Sequence, residues 1–338
     1  MQNNAWYLLK PHQDFTVQSI SCSPMPRLCD FASQDINGLI RINSIIFNKY
    51  NNNKYFEVND QNNAEFILFP FEAKDYIETG NGDIFINMIR SINKYPKANQ
   101  KLIICDSADN TEILNLDFLI SQICYFKVSL LRQYKDSAYP FSYKVSDHIV
   151  NNIQTFNDFR ISYDVSFVGN LTNPIRKLIC LSVQRESTLR SRISFDSKVF
   201  FEERNDMVYV KSTVRNHLED EKRQAFFRKI TQQSLCILCP PGFGPQSIRF
   251  YETLFYGRIP ILFDVDVLYP FEGYLDYQSF ALTIPREDIC RTGTIIAEFL
   301  RRTSKEELYE RCTASRKAFF NWFSSQIRLK RFCEFYLR

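Results

Sequence analysis

The sequence predicts an α/β fold made of two halves of similar size, each a parallel sheet flanked by helices. Three observations predict it. Short apolar runs of strand length recur along the chain, separated by stretches of helical periodicity, which is the pattern of βαβ units. That alternation fades near residue 150 and then restarts. The chain has 338 residues, which suggests two domains at about 150 residues each.

The elements follow in order. Residues 1–63 are polar and rich in Asn, with Asn51-Asn52-Asn53 the clearest run, and read as loop apart from helical spacing over 36–50. FILFP at 66–70 reads as a buried strand and 76–93 as a helix, weakened at its start by Gly80 and Gly82. KLIIC at 101–105 and ICYFKV at 123–128 are two further strands. Residues 139–158 are aromatic, polar and aperiodic, and read as a linker. VSFV at 165–168 restarts the strands and is followed by Gly169-Asn170. Pro174 suits the first position of a helix running to about Arg190. A short strand is expected at 199–201, a charged amphipathic helix over 218–232, and a strand LCILC at 235–239. The loop from Pro240 to Ser247 then opens a helix that reaches Tyr256, with Gly257 just past its end. IPILF at 259–263 is another buried strand. Ser304 and Glu307 form a capping box that opens a long C-terminal helix.

Composition removes several classes. Thirty-one Phe and 18 Tyr supply more apolar area than a disordered chain carries. A net charge of +4 without a dense Lys/Arg tract does not point to nucleic acid. No apolar stretch is long enough for a membrane span, and no secretory signal is read at the start. Ten Cys then read as reduced thiols in a cytoplasmic setting. Cys236 and Cys239 form a CxxC, but inside an apolar strand they read as structural. Three His do not combine with them into a zinc site.

The segment with most chemistry is SLCILCPPGFGPQSIRFYETLFYGRIPILFDVDVLYPFEGYL, from Ser234 to Leu275. A strand leads through a Gly-containing loop into a helix. Helix N-termini present free N–H groups and a positive dipole end, which suits phosphate. Gly242 and Gly244 allow close backbone approach to an anion, and Ser247 stands at the helix entrance. Arg249 adds a forked, permanent positive charge in the first turn. Glu252, three residues on, suits hydrogen bonds from ribose hydroxyls. Spacing alone is met as well by an ordinary strand-to-helix connection with Arg249 and Glu252 paired at i,i+3. Asp264-Val265-Asp266 follows a buried strand. It reads either as a turn or as a metal-binding pair holding a divalent cation on a diphosphate; the turn is favoured.

Residue identities in the segment decide more than spacing does. Ser234, Leu235, Cys236, Pro240, Gly242, Ser247, Arg249, Glu252, Gly257, Ile259, Pro260, Ile261, Pro270 and Phe271 closely resemble the C-terminal motif of the exostosin family of glycosyltransferases. AEFILFP at 64–70 and DVSFVGN at 164–170, with Arg176 beyond it, resemble other parts of the family; residues 1–60 show no echo. Arg258 stands where the family has Cys. The resemblance implies a GT-B fold: two Rossmann-like domains with parallel sheets facing a central cleft. It implies domains at 1–155 and 156–315, with a terminal helix over 316–338 packing back on the first domain. The basic, aromatic composition of that helix also suits peripheral contact with an anionic membrane.

The implied activity is inverting transfer of a sugar from a nucleotide sugar to a glycan or glycolipid acceptor, with no metal or other cofactor. Gly242, Gly244, Ser247, Arg249, Glu252, Arg176, Gly169 and Asn170 are the implied donor-binding residues. An inverting transfer also needs a general base, which the family places in the N-terminal domain. Asp106, Glu72 and Asp109 are the candidates, because they follow buried strands and ligands bind beyond the carboxyl ends of parallel strands. Asp106, directly after KLIIC, ranks first. The membrane anchor and luminal disulfides of eukaryotic members are not read here, so a compact cytoplasmic, microbial-like version is expected. A metal-dependent transferase using Asp264 and Asp266, or a non-catalytic nucleotide- or sugar-binding subunit, is the alternative.

Overall fold

The structure is a computed structural model, and it describes residues 4–8, 32–34, 40–42, 55–57, 66–73, 82–92, 101–106, 108–114, 123–143, 145, 161–171, 173–195, 199–204, 207–212, 217–324 and 327–336. Its elements, in chain order, are β1 (Asn4–Leu8), β2 (Ala32–Gln34), β3 (Ile40–Ile42), β4 (Tyr55–Glu57), β5 (Phe66–Glu72), α1 (Gly82–Ile92), β6 (Lys101–Asp106), β7 (Ile123–Lys127) and β8 (Tyr139–Pro140). There follow β9 (Tyr163–Gly169), α2 (Pro174–Arg185), β10 (Ser191–Phe195), β11 (Val199–Arg204), β12 (Met207–Ser212), α3 (His217–Gln232), β13 (Ser234–Leu238), α4 (Ile248–Phe255) and β14 (Ile259–Phe263). The last are β15 (Leu282–Ile284), α5 (Thr292–Arg302), α6 (Lys305–Ala318) and α7 (Arg328–Tyr336).

The chain forms two compact units. The first holds Met1–Tyr143 with Val267–Phe271 and Ser325–Arg338; the second holds Lys144–Asp266 and Glu272–Ser324. The division falls at 143/144, and the terminal part that joins the first unit starts at Ser325 instead of 316.

The first unit is built on a six-stranded parallel sheet in the order β4-β1-β5-β6-β7-β8. Reading the first 63 residues as loop is therefore corrected: β1 sits inside the sheet, pairing Trp6 with Phe66 on one side and Asn4 with Tyr55 on the other. A strand of five residues among Asn and Lys leaves too short a pattern to stand out. The helical spacing at 36–50 is also corrected at Ile40–Ile42, which pairs antiparallel with β2; the rest of that stretch lies outside the described residues. The linker expected at 139–158 does not begin at Tyr139. Tyr139 and Pro140 pair with Phe126 and Lys127. Pro140 is accommodated because β8 is an edge strand, where a missing N–H costs no ladder bond. Phe141 and Tyr143 are buried just after it. The aromatic residues that made this stretch look aperiodic are core residues of the first unit.

Helix α7 belongs to this same unit. Its Phe332 meets Phe126 edge-on at 5.6 Å and Phe141 at 4.6 Å, and Tyr336 stacks on Phe271 at 5.6 Å. Arg328 is buried with its guanidinium 5.4 Å from the Phe141 ring. The one long helix expected after Ser304 is broken. α6 ends at Ala318, and a single π-turn, Phe319–Phe323, follows it. That turn buries Phe319 against Phe255 and Phe323 against Tyr251, which an uninterrupted α-helix would face differently.

The second unit has a five-stranded parallel sheet in the order β10-β9-β13-β14-β15. Val165, Phe167, Cys236, Leu238, Ile259, Ile261 and Phe263 fill its core, with Ile179, Val183 and Ile296 packed on from the helices. Three of the predicted helix ends are where the chemistry put them. Asn173 caps α2, accepting from the Arg176 N–H at 3.1 Å, with Pro174 at the first position. Gly257 closes α4 with φ 58°, a value that favours glycine. Ser304 Oγ accepts from the Glu307 N–H at 3.1 Å. Helix α2 stops at Arg185, not 190, because Glu186 turns its carboxylate onto Thr188, accepting from the hydroxyl at 2.7 Å. Strand β10 then follows, in residues to which the sequence reading gave no element. The strand expected at 199–201 is longer and belongs to a hairpin, β11 paired antiparallel with β12.

Candidate functional site

In the second unit β9 comes first in the chain, β10 lies to one side of it, and β13, β14 and β15 continue on the other. The direction of winding therefore reverses between β9 and β13. In open parallel sheets, ligands bind at this switch point, in the crevice outside the carboxyl ends of the two strands. Gly169 and Asn170 leave β9 here, and the Pro240–Ser247 loop leaves β13 here.

The structure brings the eight expected donor residues together at this edge, by contacts or within one loop and helix. Arg176, in the first turn of α2, donates from Nε to the Pro241 carbonyl at 2.7 Å and from Nη1 to the Asn170 carbonyl at 2.8 Å. It thus ties the two loops across the switch point. A Cβ on Gly242 would lie 2.9 Å from Arg176 Nη2, and one on Gly169 would lie 3.3 Å from Arg249 Nη2. The two glycines are the space into which the two arginines lean. Gly244 accepts the Gly242 N–H at 2.9 Å, which tightens the loop. Ser247 is the N-cap of α4 and is buried, but its hydroxyl makes no cap bond to the helix. The first N–H groups of α4 carry the positive end of the helix dipole.

Arg249 is held by aromatic faces more than by hydrogen bonds. Its guanidinium lies 4.4 Å from the Phe227 ring centre and 5.6 Å from that of Phe167. Such contacts orient the fork without using its donors. Its Nη1 is buried without a hydrogen-bond partner among the described residues, and an enclosed, unpaired donor costs roughly 1–3 kcal/mol. The Asn170 Oδ1 and both amide atoms of Gln246 are in the same state. Glu252 lies one turn further into α4, and no ion pair joins it to Arg249 among the described residues. Burial pushes its carboxyl above the usual carboxylate range, and the nearby charge of Arg249 draws it part of the way back.

Sequence reasoning missed Asn173, whose Nδ2 donates to the Gly242 carbonyl at 2.6 Å and fixes the loop. It also missed the aromatic clamp. Asn173 directly before Pro174 was a cap signal by which it could have been found; Phe227, on a different helix, carried none.

In the first unit the three base candidates fare differently. Asp106 is fully buried, and its oxygens are occupied. Lys127 Nζ lies 3.1 Å from Oδ2, the Tyr125 hydroxyl donates to Oδ2 at 2.6 Å, and the Ala108 N–H donates to Oδ1 at 2.8 Å. A general base needs an oxygen that an acceptor hydroxyl can reach. Asp106 is better described as the anchor of the turn after β6, and its first rank is corrected on that ground. Lys127, also fully buried, continues to the Ala108 carbonyl and the Asn110 side chain at 3.0 and 3.1 Å. Asp109 is partly exposed and accepts from the Tyr143 hydroxyl. Glu72 ends β5, opposite Cys105, next to the point where this sheet also reverses its winding, between β1 and β5.

Asp264 and Asp266 are both exposed. The Asp266 N–H donates to Asp264 Oδ1 at 3.3 Å and Asp266 has φ 65°, so the pair builds a turn. Cys236 and Cys239 are buried; burial raises both thiols, Cys239 to about 12, which keeps it from forming a thiolate.

Parallel strands with a glycine loop, a helix N-terminus and two arginines at the switch point define the class: an open α/β unit of the kind that takes its ligands at this edge of the sheet. The model of the exostosin GT47 domain matches residues 125–299. The chain belongs to the exostosin GT47 family of glycosyltransferases. Over 66 residues it is 32% identical to a probable glucuronosyltransferase of Oryza sativa subsp. japonica, covering 20% of this chain and 16% of that protein. A probable glycosyltransferase of Arabidopsis thaliana is 29% identical over 80 residues, covering 24% of this chain and 15% of that protein. The matches thus span about a sixth of the length of these relatives. Among solved structures, a glycosyltransferase from Rickettsia africae aligns at 8% identity with a TM-score of 0.43, covering 99% of this chain and 98% of that one. Anabaena HepE in complex with UDP aligns at 6% identity with a TM-score of 0.40, covering 97% of each chain. No helix among the described residues is long and apolar enough to cross a membrane.

Proposed function

We propose that the protein transfers a sugar, with inversion, from a nucleoside diphosphate sugar to a glycan or glycolipid acceptor. It would do so in polysaccharide synthesis and without a bound metal. The observation that carries this reading is the gathering of Arg249, Arg176, Gly169, Gly242 and the α4 N-terminus at the switch point of the second sheet. In the reaction, an acceptor hydroxyl attacks the anomeric carbon, the bond from that carbon to the diphosphate oxygen breaks, and the hydroxyl proton passes to a base. Negative charge grows on the departing diphosphate. A preorganised cation and a helix N-terminus stabilise such charge as it develops. Arg249, already oriented by Phe167 and Phe227, is the group assigned to that role, and Arg176 holds the loops in shape around it.

Glu252 is assigned to the ribose hydroxyls. Glu72 and Asp109 stay as the candidate bases on the first unit, at carboxyl ends of parallel strands. The first unit is where this proposal puts the acceptor, and the cytoplasm the compartment where it puts the enzyme.

The test is calorimetry with UDP and GDP on the full chain, with and without EDTA. Arg249→Ala should weaken the bound diphosphate about ten- to a hundredfold, since a charge-assisted hydrogen bond contributes roughly 1.5–3 kcal/mol. Chelation should leave affinity unchanged. Equal affinities for wild type and a folded Arg249→Ala variant remove Arg249 from the site. Loss of binding in EDTA, restored by Mn²⁺, shifts the reading to Asp264 and Asp266.

A further inference from the structure

Gln246 lies in the loop between Gly244 and the N-cap of α4, and it is 2% exposed. Its Nε2 and Oε1 both lack a hydrogen-bond partner among the described residues. A side-chain amide offers two donors and an acceptor with two lone pairs, and enclosing one with nothing paired is costly. Buried polar groups of this kind are rare and call for a specific reason. Nothing in the packing of the loop supplies one. Neither the loop nor the start of α4 pairs with the Gln246 side chain among the described residues.

The order of groups along the chain suggests what the amide receives. Gln246, Arg249 and Glu252 follow each other at three-residue steps. Arg249 and Glu252 share a helix face about 4.5 Å apart along the axis. Under the reading above they hold the diphosphate and the ribose. A nucleotide sugar has its parts in the order ribose, diphosphate, sugar. The transferred sugar therefore falls on the far side of Arg249 from Glu252, where Gln246 stands. A pyranose presents neighbouring hydroxyls, each both donor and acceptor, and these match an uncharged amide that needs one bond of each kind.

We propose that Gln246 is a specificity-determining residue that hydrogen-bonds the hydroxyls of the sugar being transferred. The inference rests on the donor-site reading, and its test separates the two. The affinities of the full chain are measured for UDP and GDP, then for UDP-glucose, UDP-glucuronic acid, UDP-N-acetylglucosamine and GDP-mannose. The best-binding sugar conjugate and its bare nucleotide are taken forward. Gln246→Met, of similar size and shape, should lose about tenfold on the conjugate, the amount expected for one or two neutral hydrogen bonds. Its affinity for the bare nucleotide should stay within about twofold of wild type. The ligand-free Gln246→Met variant should melt at or above the wild-type temperature, because two unpaired polar atoms have been removed.

Equal losses on both ligands, or no loss on either, overturn the sugar contact. A lower melting temperature without ligand also overturns it, since the amide would then be held by the protein itself. If the wild type binds none of these compounds, the donor-site reading fails and this inference with it.

Discussion

Arg249 and Glu252 stand three residues apart on α4, the spacing of an ion pair, and yet they do not form one. The aromatic rings of Phe167 and Phe227 draw the guanidinium to themselves. Glu252 is left in a poorly solvated place where its charge is disfavoured. The consequence can be read from the pH dependence of stability. A carboxyl whose folded pKa is raised stabilises the fold most when protonated. That contribution is fully present below the ordinary Glu value of 4.5 and is lost as pH rises through the raised one. Glu252→Gln carries no such titration. Thermal unfolding across this window should show wild type losing stability relative to the variant as pH increases. Parallel curves would mean that the carboxyl is as well solvated folded as unfolded. Little of this was legible beforehand. The spacing named both residues, but Phe167 is 82 positions from Arg249 and only the fold brings it there.

Among the elements, those with chemical end signals were readable and those without were not. Pro174, Gly257 and the Ser304/Glu307 box fixed three helix ends, because a helix end is a local event written in adjacent residues. Strands β1 and β10 are short, and their partners are distant in sequence. Strand order was likewise hidden, because alternation of strands and helices does not say to which side each crossover turns. Packing between elements yields a paired prediction. A Cβ on Gly293, in α5, would come within 2.4 Å of the Ser182 carbonyl oxygen in α2. Backbone cannot yield as a side-chain tip can, so Gly293→Ala should cost about 1–3 kcal/mol or more. A Cβ on Gly242 meets only the end of Arg176, at 2.9 Å. Gly242→Ala should keep the fold and weaken nucleotide binding by displacing that guanidinium. Denaturant unfolding of both variants checks the contrast, and the reverse ranking would contradict it.

The whole molecule repeats one plan twice. Each unit has a parallel sheet whose second strand in the winding lies outside the first, so each has a switch point: β1/β5 in one and β9/β13 in the other. Among the described residues, paired arginines and glycines flank only the second, and the proposal puts the anionic ligand there. In the first, Asp106 and Lys127 neutralise each other in the core, and removing either partner of such a pair typically costs 3–5 kcal/mol. The apparent acidic cluster after β6 was visible in the sequence, but its burial was not. Backbone hydrogen exchange in the presence and absence of saturating UDP or GDP tests the division directly. The account predicts slowed exchange at residues 169–171 and 242–250, with the amides of the first unit unchanged by nucleotide alone. Binding that protects the first unit, or that leaves both of these loops unprotected, would contradict it.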